Sequence, residues 1–118
     1  MRHIWEGEDD PSWLHSSGAL NGLKEIEKRG LCYDFLVRPP NLPYVPKIMK
    51  EVPRLRAVID HIGKPLIKDH VFEPWLSDMR KIASINGMRC KVSGMVTEAD
   101  HENWTADDLR PYVHHILG

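Results

Sequence analysis

Cysteine is scarce in this 118-residue chain: there are two, Cys32 and Cys90, far apart and with no C-x-x-C pair. That excludes a disulfide-stapled framework and a zinc ribbon. Both lie in apolar runs, so the expectation is two buried, reduced thiols and a cytoplasmic protein. Long hydrophobic runs are missing as well. Nothing approaches the ~20 residues of a membrane span, and Met1-Arg2-His3-Ile4-Trp5-Glu6 lacks the apolar centre of a secretory signal. Nor does one sign of charge dominate, with 16 Lys plus Arg against 17 Asp plus Glu and a net charge of −1. Nucleic acid and anionic membrane are therefore not expected as partners. No G-x-G-x-x-G, Walker loop or G-x-S-x-G occurs, which removes the usual nucleotide cradle and serine elbow.

What is present is ordinary globular composition, 42% apolar and 28% charged, enough for one domain over residues 1–118 with a modest core. Three runs have strand character: 31–37, 55–60 and 88–93. The middle one has the near-continuous apolar centre of a strand covered on both faces. His3-Ile4-Trp5 reads as the tail of another. Between them the apolar spacing lengthens to the helical period, at Leu20, Leu23 and Ile26; at Leu42, Val45, Met49 and Val52; at Trp75, Met79, Ile82 and Ala83; and at Leu109, Val113 and Ile116. Gly30 and Gly87 follow two of these helices, and Thr105 with Asp108 forms a capping-box pattern. Strand-then-helix units repeated in this way predict an α/β fold with parallel strands and right-handed crossovers. A closed (β/α)₈ barrel needs about 250 residues. The chain is thus either a compact open sheet or part of a barrel.

In parallel α/β folds, chemistry collects where strands end. Asp60-His61-Ile62-Gly63-Lys64-Pro65 follows a strand directly, so His61 would present its imidazole at the strand mouth, as a metal ligand or a proton exchanger. The alternative is that His61 merely caps the strand and Asp60 orients it. Lys91 and Ser93 are two apart and share one face, where they line a ligand site or else pair with a carboxylate and a neighbouring backbone group. Arg38 stands at another strand mouth, placed to clamp a substrate carboxylate or to form a surface ion pair. Glu98 and Asp100, and the acidic run Glu6 to Asp10 with Trp13 packed under it, read as solvated loops. His114 and His115 are adjacent on a helix, face different ways, and are read as structural or surface residues.

Several segments in register resemble a known family. They are Arg2-His3-Ile4 with Glu8-Asp9-Asp10-Pro11 and Trp13-Leu14; Phe35-Leu36-Val37-Arg38-Pro39; the Asp60 to Pro65 segment with Pro74-Trp75; Cys90 to Asp100; and Trp104-Thr105 with Asp108 to Tyr112. Together they are similar to the amidohydrolase-related TIM-barrel hydrolases of the sugar-lactonase type, the group of fuconolactonase, rhamnonolactonase and pyrone-dicarboxylate lactonase. The resemblance covers essentially the whole chain and implies a partial (β/α)₈ barrel of about four βα units. The family's short His-x-His and its Ser-Asp-Trp-Pro segment do not occur, so the chain resembles the middle of the barrel and is expected to be a truncated form, inactive alone. His61 matches the strand-end histidine of the metal or substrate site; Arg38, Lys91 and Ser93 match recurrent substrate-site positions. For the whole protein the resemblance implies hydrolysis of a small-molecule lactone, with a divalent metal such as zinc as a potential cofactor. A metal-dependent decarboxylase is the alternative within the same barrels, and a non-catalytic module self-associating through open strand edges the alternative outside enzymes.

Overall fold

The structure, a computed structural model, describes residues 1–118 apart from the side chain of Glu6. Four βα units follow one another: β1 (Arg2–His3), α1 (Ser17–Lys28), β2 (Cys32–Phe35), α2 (Tyr44–Glu51), β3 (Arg56–Ile59), α3 (Trp75–Ala83), β4 (Arg89–Cys90) and α4 (Ala106–Leu117). The strands form one sheet in the order β1-β2-β3-β4, every neighbouring pair parallel.

Local chemistry sets these boundaries. The Ser16 hydroxyl accepts from the Ala19 N–H at the start of α1, and the Asp108 carboxylate accepts from the Thr105 N–H at 2.8 Å at the start of α4. Gly30 stands at φ 68 beyond α1, the left-handed conformation that lets the chain leave a helix without a Cβ penalty. Helix α2 begins two residues later than the spacing of Leu42 predicts, because Pro39, Pro40 and Pro43 hold a short 3₁₀ turn at Pro39–Asn41 before it. The first strand also departs from expectation. It covers Arg2–His3; Ile4 is 64% exposed, and Trp5 turns fully inward within a one-turn 3₁₀ helix at Trp5–Gly7.

One face of the sheet carries the core. Tyr33, Phe35, Ala57 and Ile59 point into a single cluster with Leu23, Val45, Ile48, Met49, Trp75, Met79, Ile82 and Tyr112 from the helices. The alternate residues point the other way, and there the ladder aligns Arg2 with Asp34, Asp34 with Val58, and Val58 with Arg89. This second face is polar and open. Strand β3 is therefore covered on one side only: Arg56 is exposed while Ala57 and Ile59 are buried. The same alternation corrects the expectation of two buried thiols, since Cys32 lies on the open face and is exposed. Cys90 faces the core, and burial raises its thiol to about 11. Both cysteines are free.

Strands in sequential order, with the packed core on one side, form a continuous curved wall rather than a doubly wound sheet. The fold is a partial (β/α)₈ barrel of four units, with the helices outside and the polar face turned toward the barrel axis. Among the described residues no helix is long and apolar enough to cross a membrane.

Candidate active site

The carboxyl ends of the strands open into four loops, and the most constrained of them follows β3. Asp60 completes the inward alternation and is fully buried. The next four residues all have positive φ: His61 at 52, Ile62 at 47, Gly63 at 74 and Lys64 at 47. Each residue with a Cβ in that region costs roughly 1–2 kcal/mol, so tertiary contacts must hold the turn. Three bonds do so. The Ile62 N–H donates to the Lys91 carbonyl at 2.9 Å, the Lys64 N–H donates to the His61 carbonyl at 2.9 Å, and the buried Trp75 indole N–H donates to the Ile62 carbonyl at 2.7 Å. A Cβ at Gly63 would sit 3.2 Å from Leu42 Cδ2 and 3.3 Å from Met79 Sδ, so this glycine lets the turn lie flat on the core.

The turn delivers the half-buried His61 imidazole to the end of β4. Its Nδ1 lies 2.9 Å from Ser93 Oγ. Gly94 closes the other side; a Cβ there would fall 2.8 Å from His61 Nδ1 and 2.9 Å from Cγ. The ring is thus fixed by one hydrogen bond and by a backbone that has no side chain to offer. Ser93 meets the imidazole and not the backbone group the sequence left open to it.

Beside it, an ionic chain ties β1 and β2 to the residues that directly follow β3 and β4. Lys91 Nζ lies 2.7 Å from Asp34 Oδ2 and 2.8 Å from Asp60 Oδ1, while Arg2 Nη1 donates to Asp60 Oδ2 at 3.2 Å. Burial acts to raise the Asp60 carboxyl, but the bonds from Lys91 and Arg2 outweigh it and leave it below the ordinary carboxylate value. Lys91 is raised, first by Asp34 and then by Asp60. The carboxylate pairing weighed for Lys91 from the sequence is therefore present.

Arg38 and Glu98 span the mouth from either side. Arg38 Nη1 donates to Glu98 Oε2 at 3.1 Å, joining the loops after β2 and β4 across the β3 loop between them, and the Glu98 side chain is only 12% exposed. The reading of Glu98 as a solvated acid is corrected by this ion pair. Asp100 stays in a loop turn, where it accepts from the Glu102 and Asn103 N–H groups. In the acidic N-terminal loop, Glu8 is bonded to His3 Nε2 at 2.7 Å and Trp13 stacks on the His3 ring at 4.5 Å, so part of that loop is anchored rather than solvated. His115 donates to the Leu76 carbonyl at 3.0 Å beside Trp75, and His114 is exposed; both are remote from the mouth.

His61, Ser93, Lys91 and Arg38 thus lie at or just below one rim. The sequence reading missed Gly94 and Trp75, whose importance lies in contacts between distant segments. Ser93-Gly94 placed directly after a strand end was the available signal. Among the described residues no group of three or more His, Cys, Asp or Glu can hold a metal ion. Asp60 and Glu98 are already engaged by cations. These residues do not by themselves fit a divalent metal; His61 is the single donor they would contribute.

The sequence and the fold have counterparts among known proteins. The profile of the family described as amidohydrolase matches residues 3–117. The chain belongs to that family. Among curated relatives of this amidohydrolase chain, the L-fucono-1,5-lactonase of Burkholderia ambifaria is 34% identical over 99 residues, 84% of this chain and 34% of that protein. The L-fucono-1,5-lactonase of Burkholderia multivorans is 30% identical over 117 residues, 93% of this chain and 40% of that one. A crystal structure of an amidohydrolase from Burkholderia multivorans with bound zinc superposes with a TM-score of 0.87 at 29% identity, covering 98% of this chain and 42% of that chain. The chain therefore spans about two fifths or less of the length of the relatives it matches.

Proposed function

We propose that this half-barrel belongs to a hydrolase that opens a small-molecule lactone of the sugar type, with His61 as the residue from this chain that meets the reacting carbonyl. The observation that supports it most is the placement of the imidazole: a strained four-residue turn, a serine hydroxyl and a side-chain-free glycine all converge on it at the carboxyl rim. Such strain persists only where surrounding structure over-determines it. The lactonase relatives supply the reaction class.

In lactone hydrolysis, water adds to the ring carbonyl, negative charge grows on the carbonyl oxygen, the ring C–O bond breaks, and a hydroxy acid is released. In the tautomer in which the Ser93 hydroxyl donates to Nδ1, His61 would carry its proton on Nε2, from which it would donate to that oxygen. Lys91 and Ser93 would frame the substrate face, and Arg38 would donate to the hydroxyls of a sugar lactone or, in a carboxylated lactone, take up the carboxylate in exchange for Glu98. The ionic chain beside His61 holds β3 and β4 in register so that the ring does not drift. A base for the water is not among these groups, because Asp60 is enclosed by two cations. The remainder of the barrel must provide it, together with any further ligands of a divalent metal.

Hydrolysis of L-fucono-1,5-lactone, followed by acid release, tests this. The 118-residue chain alone should not exceed the uncatalysed rate, whereas a full-length barrel carrying it should. A full-length barrel that leaves sugar lactones untouched would overturn the assignment.

A further inference from the structure

The ion pair at the mouth is anchored from both ends. Arg38 sits on a pinned turn: its N–H donates to the Asn41 side-chain carbonyl at 2.8 Å, its own carbonyl accepts the Asn41 N–H at 2.9 Å, and Pro39 and Pro40 fix the backbone between them. Asn41 is buried and donates in turn to the Pro11 carbonyl at 3.2 Å, which ties this turn to the loop after β1. Glu98 ends the short 3₁₀ helix Met95–Glu98, where the Thr97 hydroxyl donates to the Gly94 carbonyl at 2.7 Å. The Glu98 carbonyl accepts the Lys68 N–H at 2.9 Å, and the next residue, Ala99, is buried. Guanidinium and carboxylate therefore meet at 3.1 Å from two fixed backbones, with the Glu98 side chain largely withdrawn from water.

The same helix starts directly after Gly94, the glycine packed on the His61 ring. A substituent that extends from a carbonyl at His61 toward the β4 loop would meet this pair. The hydrogen-bonding capacity of that substituent then decides how it is received. A hydroxyl both donates and accepts, whereas a carboxylate only accepts. Two neighbouring hydroxyls add to the pair without breaking it, one donating to Glu98 and the other accepting from Arg38. A carboxylate satisfies Arg38 only by displacing Glu98, and the fixed backbone keeps the evicted charge within a side chain's length of the incoming one. Like charges held together in this way count against binding. Resting on the lactonase reading above, we infer that Glu98 is a specificity-determining residue: it directs the site to neutral polyhydroxy lactones and turns carboxylated lactones away. This decides between the two kinds of lactone open to Arg38.

Competition in a full-length barrel carrying this chain tests the inference. The probes are D-glucono-1,4-lactone and D-glucaro-1,4-lactone, which differ only in a hydroxymethyl against a carboxylate, each set against hydrolysis of L-fucono-1,5-lactone. With the wild-type chain the neutral lactone should compete at about tenfold lower concentration, a modest factor because Arg38 is partly exposed. Glu98→Gln keeps the side chain's shape and removes its charge. In that variant the carboxylated lactone should compete about tenfold better, while kcat/KM for L-fucono-1,5-lactone falls through a raised KM. Adding Arg38→Met should cancel the gain.

Equal competition by the two probes with the wild-type chain would overturn the inference, whatever the variants do. So would a Glu98→Gln chain that keeps its helical circular dichroism and its preference for the neutral probe. A gain that survives Arg38→Met would also overturn it, since the carboxylate would then bind elsewhere. Failure of the wild-type barrel to hydrolyse L-fucono-1,5-lactone at all would instead remove the lactonase reading, and the inference with it.

Discussion

Gly94 is where a single methyl group reports on the whole site. A Cβ there meets His61 Nδ1 at 2.8 Å, and the residue also holds φ 64. Gly30 holds nearly the same φ, 68, with nothing within 4 Å. Gly30→Ala should therefore cost about 1–2 kcal/mol of stability from backbone strain alone. Gly94→Ala should cost more and also break the His61–Ser93 bond, visible as a changed His61 ring signal by NMR. Equal losses in the two variants, with the ring signal unchanged, would contradict the contact. Two buried carboxyls make a prediction of opposite sign. Asp78, with one oxygen unpartnered among the described residues, is raised by burial, so its penalty at neutral pH is relieved as pH falls through its raised value. Asp60 is lowered, so its contribution is present above the ordinary value of about 4 and is lost as pH falls below it. Melting temperature should rise gently from neutral toward mildly acidic pH and then fall. Asp78→Asn should flatten the first limb. Asp60→Asn should flatten the second and cost about 1–3 kcal/mol, reduced from the fully buried case because Arg2 and Lys91 are half exposed.

The β3–α3 connection is the element on which the site depends. Its backbone is held by Trp75 at the start of α3, whose indole N–H bonds the Ile62 carbonyl 13 residues back. Trp75→Phe should leave that buried carbonyl without its donor, costing about 1–3 kcal/mol, and should raise proteolytic cutting at 61–64; unchanged stability and cleavage would mean the turn is held by other contacts. Much at this scale was legible in the sequence. The strand centres around Phe35 and Val58, the four helices, and the position of His61 directly after a strand all follow from periodicity, because burial on one face imposes it. The start of α2 was misread because apolar spacing continues through a proline-bound turn. The burial of Cys32 was misread because a strand within a barrel wall is apolar on one side and polar on the other, and a run of letters does not say which side is covered. Gly94, the Arg38–Glu98 pair and the ionic chain stayed hidden for one reason: each joins segments 30 or more residues apart, and no local pattern records which distant residue will arrive.

At the scale of the molecule, the outer face is a packed core of sheet and helices, the inner face is charged, and the rim holds an imidazole in a costly conformation. An open sheet with water on its second face would have no reason to bury Asp60 between two cations while Arg56 and Arg89 stand exposed on that same polar face. A wall of a barrel does, since that face becomes the interior when the ring closes. The chain's share of its amidohydrolase relatives, 40% and 34% for the two lactonases, fits a wall of four strands. The most direct test of the account compares two histidines in a full-length barrel carrying this chain. His61→Ala should lower kcat/KM for L-fucono-1,5-lactone by about 10²–10³-fold, the usual effect of removing one oxyanion donor, while His114→Ala, on the exposed face of α4, should leave it unchanged. Equal activity in the two variants would contradict the placement of the chemistry at the β3 mouth.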